Sequence, residues 1–428
     1  MNRLVIRIKK PSQAEICMGI LIIMPFAFAM LIELLKLPSV IKYVCDIAYV
    51  FLFLLIAINS IEKKRICKKE IFWISLFFIF TFLVYIFRFQ SPLYFLWGAR
   101  NNFRFYIAFF SFAAFLKNKN IGDYWKVFEV LFWINVILAL IQFYGFGFYQ
   151  DFLGGIFGTE YGCNGFSSMF MCIVASKSIV FFAEKKEGAL SCFSKCAAAL
   201  YISALAELKF FFVAFLIIVF LAMVYTKFSW RKIFGVFLAI SGTFAGALFL
   251  GRLFPSFENW FSVEMITNIL ASESGYTSSG DLNRLYVFAP INNMWLKTWG
   301  QRMVGLGLGN CDTSSFALVN TPFFERFGDM HYSWISYAFM YLECGIIGLL
   351  FYFGFFVLVY FDIKRIEKTC TGDDKSYCRI ARIMAIMCII ISIYNSSLRT
   401  EAGYMAYFVL AIPFAIKREN PKLLIIQR

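Results

Sequence analysis

The chain contains a single histidine, His331, set in a polar and aromatic passage, residues 281–350, between long apolar runs. The same passage carries Arg284, glycines at 305, 307 and 309, and Glu343. An imidazole with an unperturbed pKa of about 6.5 is mostly neutral at neutral pH and can take a proton from a hydroxyl. A guanidinium matches phosphate oxygens in pairs and keeps its charge beside lipid. The two together suit group transfer from a diphosphate to a hydroxyl. One histidine cannot build a multi-histidine metal site. The Asp373-Asp374 pair sits among lysines and reads as a solvated turn, so no catalytic metal and no cofactor are expected. No Walker lysine follows the three glycines, which read as a tight turn rather than a nucleotide cradle.

Composition sets the surroundings of this passage. Of 428 residues, 61% are hydrophobic, above the roughly 45–50% of soluble domains. Apolar runs near the roughly 20 residues needed to cross a bilayer recur from end to end. The expected fold is therefore all-α, a polytopic membrane protein of about twelve spans with one large extracytoplasmic loop. Spans one to nine occupy residues 1–251, the large loop 252–332, and an interfacial helix with spans ten to twelve 333–428.

The net charge of +15 does not mark a nucleic-acid binder, because the basic residues lie in short clusters between apolar runs. With the N-terminus in the cytosol, most of the 41 lysines and arginines fall on the cytosolic side, as the positive-inside rule requires. Residues 3–35 have the layout of a signal sequence, but the apolar run continues past Ala27-Phe28-Ala29 and reads as an uncleaved first span. The first outer turn is too short to be expected to act.

Cations left on the outer side need a partner. Arg100 and Arg104 stand four apart, hence on one helix face, and read either as interfacial snorkelling or as anion binding. Lys209 follows Glu207 in a tight turn between two spans, where the two either pair or Lys209 faces an outer vestibule. Arg284 lies on a helix begun by Asp281 and kinked at Pro290. Arg302 and Arg326 share that side, and His331 opens an aromatic helix. Residues 256–270 read as an amphipathic interfacial helix and 272–280 as a flexible lid. The twelve scattered cysteines read as small apolar fillers, with Cys163 and Cys311 placed on one side where pairing is open.

The stretch from His331 to Leu350, HYSWISYAFMYLECGIIGLL, resembles the His-x-x-x-Leu…Glu-x-Gly-x-x-Gly-Leu signature of the O-antigen polymerase and O-antigen ligase family of membrane glycosyltransferases. His331, Glu343, Gly345, Gly348 and Leu349 match, and Ile335 stands at the leucine position. Arg284 early in the large loop and the glycine turn before the histidine are also similar to the family. Lys209 stands where many members have the arginine of a Ser-Arg pair.

The resemblance implies a metal-independent, inverting transferase of the GT-C type, acting on undecaprenyl-diphosphate-linked oligosaccharides outside the bacterial inner membrane. His331 would activate the acceptor hydroxyl. Arg284 and Lys209, with Arg100, Arg104 or Arg302, would hold the diphosphate, and Glu343 would support the site. The expected activity is polymerisation of a polysaccharide repeat unit of O-antigen or capsule. Ligation of a finished glycan to lipid A core and flipping of the lipid-linked sugar are the competing readings. Expected partners are the lipid-linked glycan, membrane lipid and a chain-length regulator protein, with no nucleic acid.

Overall fold

The computed structural model describes residues 11–58, 67–227, 230–253, 282–314 and 316–420. Its elements are helices: α1 Gln13–Ala29, α2 Val44–Ile58, α3 Lys68–Phe87, α4 Pro92–Phe115, α5 Asn118–Leu140 and α6 Cys163–Ala183. There follow α7 Ala189–Leu205, α8 Lys209–Tyr225, α9 Trp230–Leu253, and the short α10 Phe288–Met294, α11 Trp299–Val304 and α12 Pro322–Phe327. The chain closes with α13 Ser336–Glu367, α14 Gly372–Tyr394 and α15 Gly403–Glu419. Among the described residues, seven helical segments are long and apolar enough to cross a membrane. The all-helical expectation holds. The expected helix at 256–270 and the lid at 272–280 lie outside the described residues, as does Asp281.

Local sequence sets several of these boundaries. Ser12 and Glu15 cap α1 reciprocally, the Glu15 amide donating to Ser12 Oγ and the Ser12 amide to Glu15 Oε2. Pro92 opens α4 in its first turn, where its missing N–H has no helical partner to lose. That helix begins well before the apolar run at Phe105, so Arg100 and Arg104 lie within it rather than ahead of it.

A helix apolar on every side has no face to turn to water and belongs in the interior. Accordingly α15 is the axis of the bundle, with residues 402–416 all buried. It packs on α4 and α14, while α14 packs on α13 and α6. The outer helices show the reverse: Phe72, Ile79 and Phe87 of α3 stand exposed, an apolar surface of the kind a bilayer covers.

The ends of α6, α13 and α14 remote from His331 are joined by charge. Arg379 bridges Glu184 and Glu367, and Arg382 pairs with Glu367 at 2.5 Å and with the Tyr360 hydroxyl at 3.0 Å. Mutual pairing is what allows these groups to be buried.

Candidate functional site

The glycine spacing at 305–309 is explained by how closely three backbones approach. All three glycines have positive φ. A Cβ on Gly309 would stand 1.9 Å from the Tyr94 carbonyl oxygen, and one on Gly305 would stand 2.3 Å from the Glu343 carbonyl. From the other side, Gly98 of α4 meets the Gly309 amide, and Gly345 meets Met303.

Gly345 itself, at φ +64°, breaks the helical path of α13. The kink exposes carbonyls that the turn then satisfies: the Leu306 amide donates to the Leu342 carbonyl at 2.9 Å and the Gly307 amide to the Glu343 carbonyl at 2.7 Å. The fully buried Glu343 side chain accepts from the Cys311 amide at 3.1 Å. The Glu-x-Gly part of the motif is thus a clip between the loop and α13. Gly309→Ala is expected to abolish the yield of folded protein in detergent, since the clash is with backbone that cannot give; a normal yield would show that the seam is loose.

His331 does not begin a helix. It sits at φ +52° between two 3₁₀ turns, Gly328–Met330 and Tyr332–Trp334, and α13 starts only at Ser336. Its ring lies face to face with Trp334, centroids 3.6 Å apart, and Trp334 in turn packs on Tyr161. The turn is pinned from both sides: the Tyr332 hydroxyl donates to the Cys311 carbonyl at 2.7 Å and the Tyr337 hydroxyl to the Arg284 carbonyl.

Trp334 and Tyr161 form part of the wall of a cavity of about 350 Å³. The other walls come from the end of α1, the segment 151–166, the α7–α8 turn and the connection 394–402. Glu33 and Lys42, on either side of the first short turn, also line the cavity. Arg284 reaches it from the large loop. Arg284 is not on a helix kinked at Pro290, as expected; it lies in a turn in which the Leu285 amide donates to Asn283 Oδ1 at 3.0 Å. Pro290 follows within the first turn of α10, where it is tolerated.

The guanidinium of Arg284 lies 4.5 Å from the Tyr394 ring, itself stacked at 4.2 Å on Phe210. Lys209, which precedes Phe210, is thereby brought near Arg284. Burial pushes its ammonium down to about 8; Glu207 opposes the shift and Arg284 adds to it. Glu207 lines the cavity, and its carboxylate accepts from Gln150 Nε2 at 2.7 Å.

The remaining expected cations are engaged elsewhere. Arg100 donates to Asp46 from Nε at 3.1 Å and is packed between Tyr43 and Trp97. Arg104, almost wholly buried, pairs with Glu401 at 3.2 Å and also reaches Asp46. Neither snorkels, and neither stands open to an anion. Arg302 donates to the Leu296 carbonyl at 3.0 Å and is not part of the cavity wall. All twelve cysteines are free, Cys163 and Cys311 included.

Sequence reasoning missed Glu33, Trp334, Tyr394 and Glu401. Only Trp334, three residues from the histidine, carried a signal that could have singled it out. Among the described residues no group of acids, cysteines and histidine is placed to hold a metal ion. Neither family models nor curated proteins give a match to this chain.

Proposed function

We propose that this protein is a polysaccharide repeat-unit polymerase of a bacterial inner membrane, a twelve-span glycosyltransferase whose cavity opens on the extracytoplasmic face. The observation that carries the reading is convergence. Glu207, Arg284 and Trp334 are far apart in sequence, lie in the polar interruptions of an apolar chain, and line one polar and aromatic cavity, with Lys209 near Arg284 and His331 stacked behind Trp334.

In this reading Arg284 and Lys209 hold the diphosphate of the lipid-linked donor. His331, beside the Trp334 wall, accepts the proton of the acceptor hydroxyl as its oxygen attacks the anomeric carbon. The bond from that carbon to the diphosphate oxygen breaks, and the lipid diphosphate leaves with the electron pair, its charge met by the two cations. Attack opposite the leaving group inverts the anomeric centre.

Arg284→Lys keeps the charge but loses the fork. Polymer formation from lipid-linked repeat units is expected to drop on the order of 10- to 100-fold, the worth of one hydrogen bond to a charged group. Wild-type rates would show that paired phosphate contact is not used.

The lowered Lys209 gives a pH dependence of definite sign. Its ammonium is charged below about 8 and neutral above, so affinity for the lipid diphosphate should weaken as pH rises from 7 to 9. Lys209→Arg should flatten that profile, because a guanidinium stays charged throughout. The other charges acting on this group are the carboxylates of Glu207 and Asp151 and the guanidinium of Arg284, side-chain types that ordinarily hold their charge across this window. A wild-type profile level between those pH values would remove Lys209 from the binding step.

A further inference from the structure

The walls of the cavity are unlike those of a site built only for an anion. Carboxylates outnumber cations on them five to two. Several have fixed partners: Glu33 accepts from the Thr159 amide at 2.8 Å and its hydroxyl at 2.9 Å, and Glu401 is neutralised by Arg104. Glu160 is exposed and makes no side-chain hydrogen bond or ion pair among the described residues. Beside it, Tyr161 is also exposed and packs on Trp334 at 5.1 Å.

We propose that this cavity is a sugar subsite that takes a neutral or amino-bearing unit of the glycan and rejects an acidic one. The inference rests on the transferase reading only in taking the ligand to be a glycan. An ionised carboxylate has acceptors and no donors, so the walls suit hydroxyl and ammonium groups. A uronic acid entering the same space would set like charges together with little water between them. Tyr161, exposed and held against Trp334, offers an apolar face of the kind a sugar ring covers. Arg284 on the wall beside Tyr394, with Lys209 behind it next to Phe210, takes the diphosphate, so donor charge and sugar are sorted to different parts of one space.

The test uses the full chain in lipid nanodiscs, with soluble trisaccharides of glucosamine and of galacturonic acid as probes at pH 6.5, read by calorimetry. The glucosamine probe should bind at least tenfold more tightly. Glu160→Gln should narrow that ratio several-fold. Trp334→Ala should weaken glucosamine binding about tenfold, and Trp334→Phe, which keeps a ring in place, should restore most of it. Equal binding of the two probes, binding of neither, or a ratio untouched by Glu160→Gln overturns the proposal.

Binding is read without turnover, so the two readings fail separately. A chain that discriminates between the probes but forms no polymer from lipid-linked repeat units sinks the transferase reading alone. A His331-dependent polymerase that binds both probes equally sinks this one alone.

Discussion

His331→Asn is expected to cut polymer formation roughly 10²- to 10⁴-fold, the contribution of a positioned general base, with the amount of folded protein unchanged. Asparagine is the informative replacement because of the backbone. His331 holds φ +52° and ψ +28°, a left-handed conformation that asparagine adopts readily and most other residues do not. Alanine would add backbone strain on the order of 1 kcal/mol and mix a folding effect into the kinetics. Asparagine leaves the turn intact and removes only the imidazole to which the proposed mechanism gives the proton. The measurement is chain length and rate from purified lipid-linked repeat units in proteoliposomes. A His331→Asn variant with full rate and normal product length would place the base elsewhere.

The second large effect concerns stability. Arg104 is buried to 3% side-chain exposure and faces Glu401 at 3.2 Å, so Arg104→Ala leaves a carboxylate on the cavity wall without its counter-charge. Breaking one side of such a pair costs about 3–5 kcal/mol. The variant should melt well below wild type in detergent and extract in lower yield. Removing both charges, as Arg104→Met with Glu401→Gln, should recover much of the loss, because no unpaired ion is left. A single variant melting at the wild-type temperature would mean that Arg104 is free to serve as an anion ligand after all.

How far the sequence could be read follows from the range of each interaction. Hydropathy is local and repeats along the chain, so the helical elements were legible. The polar interruptions of the apolar runs were legible too, and three of them supply Glu207, Arg284 and Trp334 to one cavity wall. Charge partners were not legible. Arg104 and Glu401 are separated by 297 positions, and Arg100 meets Asp46 across 54, distances at which no periodicity speaks. Isolated from their carboxylates, the two arginines looked like anion ligands. The glycines at 305–309 announced a turn, yet the reason for three of them lay in α4 and in the break at Gly345, visible only once those backbones were side by side.

The seams at Gly98, Gly305 and Gly345 also bear on how much the chain around the cavity can move. Main chain rests on main chain there, with no side chain between to act as a cushion, so the turn at 305–309 is held fast to α4 and α13. If the proposed polymerase reading holds, such a site waits ready-made, and movement of the product between rounds falls to the glycan and its carrier rather than to the turn at 305–309.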